Sequence, residues 1–218
     1  MKYLCGVDEA GRGPVIGPMV ICGIVIDADK KKTLQAMEVK DSKLLTKKQR
    51  EQLFKKIKEF VHNYYSIILM PEEIDRAVSK NKLNWLEAKK TAEIINFLNP
   101  DEAILDCPNP NTKSYENYIK RNLIKKETVI RAEHKADFNY PVVSAASILA
   151  KVIRDSEIEK IKEEIGIDFG SGYPSDPVTQ KFVEEHWHNP LFSRHFRKSW
   201  APWKLQKEMR EQRKLGEF

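Results

Sequence analysis

Apolar positions along the chain switch between two periods, and each switch marks an element. Near the start, "KYLCGV" and "MVICGIVID" are short apolar runs of strand length, the second richer in β-branched residues. The "AGRGPVIGP" between them is too long for a two-residue hairpin and too rich in glycine for a helix, so it predicts an irregular connecting loop. From Thr46 the period changes. Thr46 and Gln49 form a capping-box pattern, and Leu53, Phe54, Ile57, Phe60 and Val61 then recur at helical spacing. "SIILM" reverts to a strand pattern. Residues 84–98 return to a helical one, with Trp85, Ala88, Ala92, Ile95 and Leu98 on one face and Pro100 just past the end.

"EAILD" reads as a buried strand ending at Asp106, and "TVIRAEH" as a further strand ending near "KAD". A long helix is expected from Pro141 to Ile165. Its first half, "VVSAASILAKV", is apolar and small, as if pressed against a sheet, and Ser144 and Ser147 are expected to serve that close packing. Its second half, "RDSEIEKIKEEI", is amphipathic. After "DFGSGYPSDP" a shorter helix starts, with Asp176 as its cap and Pro177 at its first position. The chain end reads as a helical extension finishing in a tail. Strands first, then strands alternating with helices, predict an α/β sheet of mixed direction. At 218 residues the chain holds one large domain, or one with a small appendage, and it carries no internal repeat.

Charge adds a partner class. The formal net charge is +6, and from Arg194 to Phe218 there are eight Lys or Arg against three Glu, so nearly all the excess sits at one end. In "RHFRKSWAPWKLQKEMREQRK" aromatic residues interleave with the basic ones, which suits a polyanion, although a solvated basic helix has the same composition. No apolar run approaches the roughly 20 residues that span a bilayer, and no basic start with an apolar stretch reads as a signal peptide. A cytoplasmic location with no membrane association is therefore expected. Cys5, Cys22 and Cys107 lack the paired spacing of a disulfide framework or a zinc site.

The candidate chemistry lies in acids that end apolar strands: Asp8 with Glu9, Asp106 in "AILDCPNP", and Asp137 just past "TVIRAEHKA". Strand ends along one edge of an α/β sheet are where sites form. Convergent carboxylates raise one another's pKa unless cations share their charge, and hard oxygen ligands select Mg²⁺ or Mn²⁺. Two such ions are a recurrent device for phosphodiester hydrolysis. Acids at strand ends are also often simply solvated, or cap the next helix, and spacing along a chain does not place them together.

The strings "DEAGRGPVIGP", "DSKLL", "HKAD", "SAASILAKV" and "GSGYPSDP", in this order, closely resemble ribonuclease HII, especially its archaeal members. The resemblance covers roughly residues 4–180. It implies a ribonuclease H-like fold, with a mixed central sheet flanked by helices and a C-terminal helical extension. It divides the chain into a catalytic domain over 1–170, a helical subdomain over 171–210 and a tail over 211–218. It implies an endonuclease that uses two Mg²⁺ or Mn²⁺ ions to hydrolyse RNA paired with DNA, and that cuts on the 5′ side of a ribonucleotide to leave 3′-hydroxyl and 5′-phosphate ends. A monomer is expected.

By this resemblance Asp8, Glu9, Asp106 and Asp137 are the metal-binding carboxylates, with Asp8 the central one. Gly11, Arg12 and Gly13 match a motif that brings backbone groups against the 2′-hydroxyl of the target nucleotide. Glycine suits that approach because a Cβ would hold the sugar away, and the 2′-hydroxyl distinguishes RNA from DNA. Tyr173 matches the tyrosine at the RNA–DNA junction. Lys43 and Lys135 resemble phosphate-contacting positions, while His134 reads either as a proton shuttle or as a bystander. At the chain end Gln212, Leu215 and Phe218 fit Q-x-x-L-x-x-F, similar to the sliding-clamp box of archaeal ribonucleases HII, but lacking the second aromatic. Two other readings stay open: another nuclease of the same fold class, such as a junction resolvase or exonuclease, or a non-catalytic nucleic-acid-binding or clamp-associated module.

Overall fold

The computed structural model describes residues 2–37, 39 and 45–215, with side chains as far as Gln212. Its centre is a five-stranded sheet in the order β3-β2-β1-β4-β5. Strands β1 (Tyr3–Ala10) and β2 (Met19–Asp27) pair antiparallel, whereas β4 (Glu102–Asp106) runs parallel to β1 and β5 (Val129–Glu133) parallel to β4. β3 (Asn63–Leu69) lies at the edge beside β2. The mixed direction expected from the sequence is what forms. Every residue of β2 is buried, which explains why its sequence lacks polar alternation.

Helices fill the connections that parallel strands require. They are α1 (Lys31–Ala36), α2 (Lys47–Phe60), α3 (Pro71–Val78), α4 (Leu83–Leu98), α5 (Thr112–Arg121), α6 (Ala136–Asn139), α7 (Pro141–Ile165), α8 (Pro177–His186) and α9 (Ala201–Leu215). Thr46 caps α2 in a full capping box with Gln49, as its sequence predicts. Helices α1, α3, α5 and α6 go beyond the sequence reading. Two of them carry starts visible in retrospect: Pro71 at the first position of α3, followed by Glu72 and Glu73, and Asn111 capping α5 through the Ser114 amide. Among the described residues no helix is long and apolar enough to cross a membrane.

The chain divides into two compact units. The first comprises Met1–Ala10, Val20–Ile68 and Asn84–Ile153, and the second Gly11–Met19, Leu69–Leu83 and Arg154–Phe218. The first unit's core packs Val142, Val143, Ala145, Ala146, Ile148, Leu149 and Ala150 of α7 with Leu4, Val20, Ile24 and Ile104 of the sheet. The approach is close because of Gly6. A Cβ there would lie 2.3 Å from the Val142 carbonyl carbon and oxygen, so α7 starts directly against the β1 backbone. The small residues of "SAASILAKV" follow directly and are buried in the same core. In the second unit Val15, Ile16, Ile158, Ile161, Phe169, Phe182, Val183 and Phe196 form a separate core.

Candidate active site

In the first unit the chemistry gathers at the C-terminal ends of β1 and β4. Val7 pairs with Leu105 in parallel register, so the next residues along the two strands are Asp8 and Asp106. Oxygens of Asp8, Glu9 and Asp106 all lie within 4.8 Å of one another. Asp8 is buried, and the other two are half-buried. Asp106 is steadied through Oδ1, which accepts from the Ala136 amide at 2.8 Å. Asp8 Oδ1 accepts from the Glu9 amide at 2.7 Å, and the Ser147 hydroxyl of α7 also hydrogen-bonds the Asp8 carboxylate.

Burial is the largest influence on Asp8. It pushes the carboxyl well above the usual carboxylate range, and the charges of Glu9 and Asp106 push it further. The hydrogen bonds from Ser147 and the Glu9 amide oppose that rise. Such a group is costly to ionise alone, but its cost falls when a cation shares the charge. Three convergent carboxylates are a hard oxygen donor set and fit a divalent ion of the Mg²⁺ or Mn²⁺ type.

Asp137 stands outside this group of three. Rather than ending a strand, it lies in the first turn of α6, one residue after Ala136, whose amide holds Asp106. β5 itself stops at Glu133, short of the "KAD" end expected for it. Lys135 is exposed and left-handed, with φ 57°, at the start of α6. His134 is exposed, with Nδ1 3.0 Å from the Cys107 carbonyl oxygen. Ser147 packs in the buried half of α7 as expected, and its hydroxyl in addition reaches the central acid, which the sequence does not reveal. Ser144 is also buried, and its hydroxyl donates to the Val39 carbonyl.

The second unit holds the Gly11–Pro18 loop. Gly11 has φ +82°, and a Cβ on it would lie 2.5 Å from Arg154 Cδ and Nε, so both conformation and space demand glycine. The loop is stitched to two other segments. The Gly172 carbonyl accepts from the Val15 amide at 2.8 Å, and the His195 carbonyl accepts from the Gly17 amide at 2.9 Å. Arg197 is fully buried and donates to three loop carbonyls: Nη2 to Gly11 at 2.6 Å, Nη1 to Arg12 at 3.0 Å and Nε to Gly17 at 3.0 Å. The Trp200 indole donates to the Gly13 carbonyl at 3.1 Å. Neither Arg197 nor Trp200 was singled out by the sequence reading beyond general basic and aromatic character.

Tyr173 comes to this loop as well. Its ring lies 3.6 Å from where a Gly13 Cβ would sit, and the Arg154 guanidinium lies 5.0 Å from the ring centroid. The "GSGYPSDP" turn that carries it is built by Asp176, which caps α8 at the Val178 amide and also accepts from the amide and hydroxyl of Ser171. Thr179 ties the same turn from inside, accepting from the Gly172 amide at 3.0 Å and donating to the Phe169 carbonyl at 2.8 Å. Arg12 is half-buried and Gly13 exposed. Of the remaining sequence candidates, Gln212 is exposed on α9 and Leu215 ends that helix, while Lys43 and Phe218 lie outside the described residues.

Comparison with known proteins bears on the whole chain. A family profile described as Ribonuclease HII matches residues 5–202. A protein named Ribonuclease HII from Methanococcus maripaludis is 46% identical over 216 residues, covering 96% of this chain and 90% of its own. Among solved structures, the ribonuclease H2 of Pyrococcus horikoshii superposes with a TM-score of 0.86 at 43% identity, over 95% of this chain and 98% of that one. A structure described as the PCNA:RNase HII complex from Archaeoglobus fulgidus gives 0.76 at 38% identity, over 84% of this chain and 85% of that one.

Proposed function

The chain belongs to the ribonuclease HII family and is a ribonuclease H of that type, and from that premise we propose that it cuts both the RNA strand of RNA–DNA hybrids and duplex DNA carrying single ribonucleotides. The cut falls on the 5′ side of the ribonucleotide and leaves 3′-hydroxyl and 5′-phosphate ends. The observation that carries this reading is the convergence of Asp8, Glu9 and Asp106 oxygens within 4.8 Å at the ends of neighbouring strands. These three would hold divalent ions, with Asp137 as a fourth ligand. When bound, two such ions, Mg²⁺ or Mn²⁺, would supply the charge needed to activate a water and to stabilise the leaving oxygen.

The chain's own groups do the rest. Ser147 and the Glu9 amide hold the Asp8 carboxylate in place, and the Ala136 amide does the same for Asp106. Gly11, Arg12 and Gly13 present backbone to the ribose, whose 2′-hydroxyl both donates and accepts and so separates RNA from DNA. Tyr173 meets the sugar that follows, and Lys43 and Lys135 contact phosphates. Gln212, Leu215 and Phe218 would dock on a PCNA-type sliding clamp. Support comes from the Archaeoglobus fulgidus relative's description as a complex with PCNA, and from the continuation of α9 through Gln212 to Leu215.

The test is digestion of three matched duplexes: all-DNA, DNA with one embedded ribonucleotide, and an RNA–DNA hybrid, each with Mg²⁺, Mn²⁺ or EDTA, with the cut mapped. Cleavage 5′ of the ribonucleotide that EDTA abolishes is expected. Equal cutting of the all-DNA duplex, or cleavage that survives EDTA, overturns the reading.

A further inference from the structure

The three carbonyls of "GRG" all point at one short segment of the chain. Gly11 and Arg12 offer theirs to the Arg197 guanidinium and Gly13 offers its own to the Trp200 indole. No described peptide bond is cis. In a trans peptide the carbonyl and the following amide point in opposite directions. Turning the Gly11 and Arg12 carbonyls toward Arg197 therefore turns the Arg12 and Gly13 amides away from it. The Gly13 carbonyl is followed by Pro14, which has no amide hydrogen, so the outward donor row ends there.

We propose that Arg197 is a positioning residue for ribonucleotide selection, with its guanidinium setting the direction of the Arg12 and Gly13 amides and the Trp200 indole closing the row at Gly13. The inference rests on the reading that this loop meets the ribose. Arginine is the residue suited to the task. Its planar fork holds three donors at fixed separations, and here Nε, Nη1 and Nη2 each take a different loop carbonyl. A lysine ammonium is a single point on a flexible stem and cannot hold three carbonyls apart in this way.

The fork is itself held. The Arg197 amide donates to the Val15 carbonyl at 2.8 Å. On the following residues, Asp75 of α3 accepts from the Lys198 amide at 2.8 Å, the Ser199 amide at 3.0 Å and the Ser199 hydroxyl. The guanidinium also lies 5.0 Å from the Trp200 ring centroid, so the two side chains that grip the loop brace one another. Burying a guanidinium is costly unless its donors are filled, and the loop carbonyls fill them. Each partner thus holds the other in one geometry.

A merely structural arginine would affect folding alone. Two variants separate the cases: Arg197→Lys, which keeps charge and bulk, and Trp200→Phe, which keeps the ring and removes only the indole N–H. For each, affinity is measured for a duplex with one ribonucleotide and for the same duplex in all-DNA form, with Ca²⁺ replacing Mg²⁺ to hold back cleavage. Thermal melting of each variant is followed in parallel. The ratio of the two affinities is expected to fall about tenfold in Arg197→Lys and about threefold in Trp200→Phe. Unfolding lowers the active fraction but leaves that ratio unchanged, so an unchanged ratio in both variants overturns the inference. If Arg197→Lys does not fold, an unchanged ratio in Trp200→Phe overturns it alone. A wild-type protein with no ribonucleotide preference gives a different result, removing the proposed function and this inference together.

Discussion

The Ser147 hydroxyl, in the buried half of α7, donates to the Asp8 carboxylate at the C-terminal end of β1. The contact exists because Gly6, two residues before Asp8, lets α7 start against bare β1 backbone. The close approach that Gly6 permits and the hydrogen bond on the central acid thus involve the same helix. Partners that orient a ligand tune its hold on the metal, typically by about 10- to 100-fold.

Ser147→Ala is expected to raise the Mg²⁺ concentration for half-maximal cleavage about tenfold, with little loss of maximal rate. A metal titration of activity checks this. An unchanged midpoint would show that the hydroxyl contributes only to packing.

Asp8→Asn is expected to lower cleavage by on the order of 10³-fold or more while leaving duplex affinity near the wild-type value. Single-turnover kinetics and a binding titration separate the two effects. Turnover retained at millimolar Mg²⁺ would remove Asp8 from the site.

Gly6→Ala places a methyl group 2.3 Å from the Val142 carbonyl atoms. The helix must shift, so a loss of about 3 kcal/mol in unfolding free energy is expected. Activity should fall further than stability alone explains, because Ser147 rides on the same helix. Urea denaturation, with activity assayed below the transition, measures both.

The Asp176 carboxyl is held below the usual carboxylate range, first by the Ser171 amide and next by the Ser171 hydroxyl, with the Val178 and Thr179 amides adding to the effect. A carboxyl depressed in the folded state gives stability that is complete above its unfolded value, about 3.9, and is lost as the pH falls through the folded value. Asp176→Ala is therefore expected to cost about 1 kcal/mol at neutral pH, and the gap from wild type should close as the pH drops below about 4. Denaturant titrations across that range test it. A gap that stays constant would place the contribution outside the ionised cap.

Deleting residues 212–218 is expected to leave cleavage of a short duplex unchanged and to weaken binding to a PCNA-type clamp. Surface-immobilised clamp titrated with full-length and shortened chains gives the comparison. Equal affinities would reject the tail assignment.

The elements most legible in advance were those whose signals are local. The bounds of β2 and α7, the capping box at Thr46 and the Asp176–Pro177 start of α8 all rest on residues within a few positions of one another. Helices α1 and α6 are short, and tertiary context settles such segments more than propensity does. Strand-end acids were visible as candidates, but their grouping was not. Asp8 and Asp106 become neighbours only through the parallel register of β1 and β4. Asp137 shows the limit of the same reasoning, because β5 ends early and hands it to a helix outside the group of three oxygens.

By itself, then, the sequence determined the strands and most of the longer helices, the acids able to do metal chemistry, the glycines a close approach would need, and the family. Those properties follow from periodicity, caps and residue identity, which act over a few residues. Only the tertiary structure decided that a serine expected to pack would bond Asp8, and that Arg197 would grip a carbonyl 186 residues away. Contacts at that separation depend on how whole elements dock: the missing Cβ at Gly6 leaves room for α7 against β1, and the segment carrying Arg197 is held beside the loop by its own amide bond to the Val15 carbonyl.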